Sequence, residues 1–181
     1  MRLRGDKLKQ LAALAGVSEE QLAEAVDRTG VSGATARTAI RNWLSGRDHP
    51  RCKAADITRL ADAVGVEPKD IARFTSCVNH HRGSPRKARL LADLVRGKSA
   101  DEALNLLRFT TKRAAVNMRK ALNAAIAEAQ AANADGTALF VCESRVDEGP
   151  HMKRWQPKDR GRAHPILKRT GHITISVEER L

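Results

Sequence analysis

Between His151 and Arg169 the chain carries Lys153, Arg154, Lys158, Arg160, Arg162, Lys168 and Arg169 against a single acid, Asp159. Cations packed this densely repel one another unless an anion lies among them. Arginine adds planar, permanently charged donors suited to two-point contact with phosphate. The chemistry on offer is therefore recognition of a polyanion, and RNA is the first choice. Gly161, inside the run, permits a tight turn or a close backbone approach. Catalytic chemistry finds little support. His80 and His81 are adjacent, so on a strand they point to opposite faces. His49-Pro50, near Cys52, reads as a loop with no base-orienting pattern, and Asp147-Glu148 sits among cations where ion pairing is the plain account. No Gly-rich phosphate loop, metal-ligand spacing or nucleophile motif is present. No enzyme, cofactor or metal site is expected.

The basic run must be held by flanking elements. Downstream, Ile173, Ile175 and Val177 alternate with His172, Thr174, Ser176 and Glu178, the period of a half-buried strand. Upstream, Ala138 to Val146 reads as a second strand. Two strands joined by a connector containing Gly149-Pro150 and Gly161 predict an extended hairpin over about residues 143–170. About ten strand residues at about 3.3 Å each would make an arm on the order of 30 Å long. An isolated two-stranded ribbon is marginal in water, so this one needs an anionic surface to lie against.

The composition agrees. The 181 residues include 33 Lys and Arg against 21 Asp and Glu, a formal charge of +12, which is a footprint for nucleic acid or an anionic membrane surface. No apolar run approaches the length that spans a bilayer, and the N-terminus lacks the apolar core of a signal peptide. A soluble, cytoplasmic protein is expected, with no membrane or small-molecule partner. Cys52, Cys77 and Cys142 are scattered and odd in number, which predicts reduced and mostly buried thiols. Aromatic residues are few and Tyr is absent. Shape and phosphate contacts are therefore expected to dominate over a platform of stacked bases.

Charge is uneven along the chain, and so is pattern. Residues 1–73 read as a near-neutral string of short helices. Leu8, Leu11, Ala12 and Ala15 form a first stripe, and Ser18 with Gln21 a capping box before Leu22, Ala23 and Val26. Ala36, Ile40 and Trp43 follow, then Ile57, Leu60, Ala61 and Val64. Through Leu22-Ala23, Gly30-Val31-Ser32, Ile40, Trp43 and Gly46 this part resembles repressor-type helix-turn-helix domains. About three extra residues precede Gly30 and about four lie between Ser32 and Trp43, whereas base reading needs the recognition helix placed accurately in a groove. A small helical bundle used for docking is the expectation here. A DNA-binding regulator working through Arg37, Arg41 and Arg47 is the alternative.

Residues 74–181 carry most of the positive charge. A strand over 74–83 precedes three helices. The first opens at Ser84-Pro85, with Leu90, Leu91, Leu94 and Val95 toward a core and Arg86, Lys87 and Arg89 outside. The second follows a capping box at Ser99–Glu102 and carries Ala103, Leu104, Leu106 and Leu107. The third runs from about Thr111 to Ala132. The predicted class is α+β: three helices on a small antiparallel sheet with a protruding hairpin, plus an all-α N-terminal domain.

The motifs SPRKARLLADLVRGKSADEAL (84–104), VDEGP (146–150), KRW–P (153–157), GRA (161–163) and KRT-HITI (168–175) resemble the bacterial large-subunit ribosomal protein family numbered twenty-two. The resemblance covers about residues 74–180. It implies a structural component that binds large-subunit rRNA, with neighbouring ribosomal proteins as further partners. It also implies a hairpin whose tip, about Met152 through Arg162, lines the nascent-peptide tunnel. The candidate rRNA-binding residues are Arg82, Ser84, Arg86, Lys87, Lys153, Arg154, Lys158, Arg160, Arg162, Lys168 and Arg169. The tunnel-lining candidates are Met152, Trp155, Gln156, Pro157, Asp159 and Gly161.

Overall fold

The computed structural model describes every residue except Asp27, Thr29 and Leu181. The chain divides into two compact units, Met1–Phe74 with Glu128–Ala134, and Thr75–Ala127 with Asp135–Leu181.

The first unit begins with a short strand β1 (Arg2–Leu3), followed by α1 (Gly5–Ala15), α2 (Glu19–Ala25), α3 (Ala34–Leu44), α4 (Ala54–Val64) and α5 (Pro68–Ile71). β1 pairs antiparallel with the start of β2 (Ala72–Arg82) through Arg2–Arg73 and Leu3–Ala72. The core is Leu8, Leu22, Ile40, Trp43, Ile57 and Leu60, each buried, at the helical spacings that the sequence displays. Leu11 is only half-buried and Ala15 is exposed, so the α1 stripe is narrower than its spacing suggests. Gly5 is required: a Cβ there would lie 1.9 Å from the Trp43 carbonyl oxygen, so α1 crosses α3 at backbone contact. The Ser18–Gln21 box closes in both directions, Ser18 N–H to Gln21 Oε1 at 2.9 Å and Gln21 N–H to Ser18 Oγ at 3.3 Å. The extra residues before Gly30 include Asp27 and Thr29, which lie outside the described residues.

After β2, α6 (Pro85–Val95), α7 (Ala100–Phe109) and α8 (Ala114–Ala131, whose residues from Glu128 onward belong to the first unit) precede β3 (Leu139–Glu148), β4 (Met152–Pro157), β5 (Ala163–Lys168) and β6 (Thr170–Glu179). The main sheet runs β2–β6–β3, and β4 pairs with β5 as a separate ribbon. The class is α+β, as the pattern predicts.

Four local expectations change. On α6 the buried residues are Ala88, Leu91, Ala92 and Val95, while Leu90 and Leu94 are 58% and 41% exposed. The small Ala88 and Ala92 let the helix sit close to β3, which rotates the two leucines off the core. β6 is buried on both faces, not one. As the central strand it carries Thr174 and Ser176 against the side chains of its neighbours, with Thr75 Oγ1 to Ser176 Oγ at 2.9 Å and Thr174 Oγ1 to Cys77 Sγ at 3.6 Å. Hydrogen bonding makes that polar burial tolerable. Ser99 accepts from Glu102 N–H at 3.3 Å, but Glu102 turns to Lys98 Nζ at 2.8 Å, so that capping box is half formed. Of the three thiols only Cys52 is buried, and Cys77 is exposed.

Candidate nucleic-acid interface

The connector is not one continuous ribbon. β3 and β6 pair from Leu139–Glu179 to Glu148–Gly171, and pairing stops there. It resumes between β4 and β5, from Met152–Lys168 to Pro157–Ala163. The projecting arm is thus six residues per strand, or about 20 Å at about 3.3 Å per residue, shorter than the 30 Å expected from counting the whole run as one strand. The break falls at Gly149–His151 and Arg169, where Pro150 has no N–H to continue the ladder.

Three hydrogen bonds fix the direction of the arm at this break. Gly149 N–H donates to Thr170 O at 3.0 Å, and Gly83 N–H to Arg169 O at 3.2 Å. The buried Thr170 hydroxyl donates to Pro150 O at 2.7 Å. Gly149 has no room for a side chain, since a Cβ would lie 2.7 Å from Thr170 Oγ1 and 3.0 Å from His172 Nε2. Below the break, α6 braces the free edge of β3. Arg89 Nε donates to Val146 O at 3.1 Å and Arg96 Nη2 to Ser144 O at 2.5 Å. These two arginines are therefore structural, while Arg86 and Lys87 on the same helix point to solvent.

Every arm residue from Lys153 to Arg169 is exposed, apolar ones included. Strand alternation sorts them onto two faces. Lys153, Trp155 and Pro157 share one with Pro165 and Leu167; Arg154 and Gln156 share the other with His164, Ile166 and Lys168. Trp155 is 70% exposed and Leu167 47%. The turn is Lys158–Arg162, closed by Lys158 N–H to Arg162 O at 2.7 Å and Arg162 N–H to Asp159 O at 3.3 Å. Its central residues, Arg160 and Gly161, both take positive φ, 56° and 67°, the mirror-image turn that suits hairpin twist. Asp159 enters the turn through its carbonyl. Met152, counted with the tip from sequence, lies at the opposite end of β4, beside the break.

At the foot of the arm the sequence-distant cations converge. A cleft of about 560 Å³ is lined by His81, Arg82, Gly83, Ser84, Lys87, Leu90, Lys112, Arg113 and Ala114. A neighbouring concavity shares Arg82, Ser84 and Arg113 and adds Leu167, Lys168 and Arg169. Ser84 holds the N-cap position of α6 without its side chain accepting a helix N–H, so the positive end of the helix opens onto the cleft. Helical spacing places Lys112 and Arg113 inside the third helix, where nothing marks them as site residues; they form the connection before α8 instead. His81 is buried and its Nδ1 lies 2.6 Å from the Asn117 amide nitrogen. Burial first, and the Arg113 charge second, hold its pKa below the ordinary imidazole value. Among the described residues no group of three or more His, Cys, Asp or Glu is placed to hold a metal ion, and no helix is long and apolar enough to cross a membrane.

An arm, a cationic foot and an α6 brace thus occupy one span, and residues 76–178 match the family model for ribosomal protein L22p/L17e. The chain belongs to this family. It is also similar to the large ribosomal subunit protein uL22 of Sorangium cellulosum (strain So ce56), 52% identical over 101 residues, 55% of this chain and 90% of the relative. The protein of the same name from Metamycoplasma arthritidis (strain 158L3-1) is 53% identical over 103 residues, 56% of this chain and 49% of that one. The L22p/L17e match starts inside β2, so the helices α1 to α5 lie outside it.

Proposed function

We propose that the chain is a structural constituent of the large ribosomal subunit, held by its rRNA and by neighbouring ribosomal proteins in the cytoplasm. The role is architectural, and no catalytic step is assigned to it. One observation carries the reading: within the matched span stands a ribbon with no core of its own, whose cations and apolar side chains alike face outward. Such a ribbon acquires burial only against another molecule, and its charge selects a polyanion.

Phosphate contacts fall to Arg154, Lys168, Lys158, Arg160 and Arg162 on the arm, and to Arg82, Arg86, Lys87 and Arg169 at its foot, with Ser84 at the α6 N-terminus. Lys153 sits on the face that also carries Trp155. By its likeness to the family the turn and the adjoining Trp155, Gln156 and Pro157 line the nascent-peptide tunnel, with Asp159 and Gly161 at its extremity. Met152 is set back from that lining position. The DNA-binding alternative finds no support in the family match or in the relatives.

The test is sedimentation of the full chain with large subunits under a salt wash. The chain is expected in the particle fraction, and reversal of Lys153, Arg154, Arg160 and Arg162 to Glu is expected to release it. A chain that stays in the supernatant beside intact subunits sinks the reading.

A further inference from the structure

We propose that the N-terminal helical unit carries a second RNA-backbone-binding surface, made by α3 and the loop that follows it. The inference rests on the reading of the chain as part of an RNA particle and goes beyond it, because the matched span begins at residue 76.

Near-neutral charge in residues 1–73 conceals a segregation. Between Ala34 and Lys53 the cations are Arg37, Arg41, Arg47, Arg51 and Lys53, all exposed, and the only acid is Asp48. Asp48 is already engaged, its Oδ1 accepting from Cys52 N–H at 2.8 Å. The acids Glu19, Glu20 and Glu24 lie apart on α2. The link across is Arg37 Nη2 to Glu20 Oε1 at 3.9 Å, with both side chains about two-thirds exposed or more. A pair that long and that wet is weak and easily exchanged for a phosphate. Arg37 and Arg41, four apart on α3, stand one above the other on its outer face.

The loop beyond α3 is rigid in spite of its like charges. Asn42 Nδ2 donates to His49 O at 2.8 Å, Trp43 Nε1 to Pro50 O at 2.6 Å and Arg28 Nη2 to Arg51 O at 3.0 Å. Three successive carbonyls are thus tied down from beneath. Arg28 is itself held at 3.3 Å by the buried carboxylate of Asp56, which also accepts from Lys53 N–H at 2.9 Å. A loop fixed in this way presents Arg47 and Arg51 on an ordered backbone, so only their side chains are left to order at binding. The occupant is an RNA backbone. The A-form major groove is too deep and narrow for a helix to read, so what counts is a fixed row of cations. The extra residues that spoil a recognition helix for DNA leave that row intact.

The experiment uses the full chain and large-subunit rRNA. Wild type and the variant Arg37→Glu/Arg41→Glu/Arg47→Glu are titrated at several salt concentrations. All three positions are exposed, and circular dichroism checks that the helices persist. Affinity is expected to fall about tenfold or more, with the log–log salt slope smaller by about 0.7 to 0.9 per lost phosphate contact. Ultraviolet crosslinking of the wild-type complex is expected to mark peptides within residues 34–53. Unchanged affinity and slope, with crosslinks confined to the arm and its foot, overturn this inference while the arm's role stands. Crosslinks nowhere on the chain overturn both. Tighter binding of a DNA duplex through the same arginines, or crosslinking of this loop to a protein in reconstituted subunits, overturns it in favour of that partner.

Discussion

The hydroxyl of Thr170 donates to the carbonyl oxygen of Pro150 across 2.7 Å, bridging the two strands at the point where their ladder breaks. This bond and the return donation from Gly149 N–H to the Thr170 carbonyl together join the foot of the arm to the sheet. Thr170→Val keeps the branched shape and removes the bond. Pro150 is exposed, so water can reach the freed carbonyl, and loss of this part-buried hydrogen bond costs about 0.5 to 1.5 kcal/mol. The expected result is faster amide exchange from Met152 to Lys168 with little change in α6 to α8. Gly149→Ala should do more harm, because its methyl would meet Thr170 Oγ1 and His172.

The arm and its foot are expected to act by charge and not by base identity. Replacing Lys153, Arg154, Arg160 and Arg162 by Ala should weaken binding to unrelated RNA sequences alike and flatten the salt dependence, by about 0.7 to 0.9 in slope per lost contact. Lys112→Ala/Arg113→Ala should show the same signature. If those two line the cleft without touching RNA, filter-binding isotherms will not move.

Arg160 occupies the left-handed region at φ 56°. Asn and Gly tolerate that conformation better than Arg does. Arg160→Asn should therefore stabilise the turn by about 1 kcal/mol while losing one phosphate contact. Thermal stability and RNA affinity are predicted to move in opposite directions, which calorimetry and binding on one sample can check.

His81 contributes a pH dependence on the acid side. Its pKa is lowered on folding, so the unfolded chain takes up a proton first as pH falls. Stability is full above the unfolded value near 6.5 and is lost as pH drops from there through the folded pKa. His81→Gln removes the titrating ring, and urea midpoints between pH 7 and 5 should then decline less steeply than in wild type. Equal declines would place the sensitivity elsewhere.

Much of this was legible in residue order. The helices of the second unit announce themselves by Ser84-Pro85, Ser99 and the apolar spacing of α7 and α8. The cationic run between His151 and Arg169, bounded by strand patterns, specifies an outward arm through its like charges alone. Local rules suffice there, because helix periods, caps and like-charge repulsion act over a few residues. Leu90 and Leu94 show where they stop sufficing. A leucine at core spacing faces solvent once two alanines decide how α6 sits on β3.

What the sequence alone determined is the α+β class, the two-part division of charge and pattern, and the dense positive charge of residues 151–169. Tertiary structure decided what depends on distant partners. It alone breaks the hairpin at Gly149 and Arg169, buries both faces of β6 and gathers Lys112 and Arg113 beside Arg82, with Arg113 also beside Arg169. It alone ties residues 49–51 down so that Arg47 and Arg51 stand out. The physical reason is range: charge and periodicity are properties of neighbours in the chain, whereas burial, convergence and orientation belong to groups brought together only by folding.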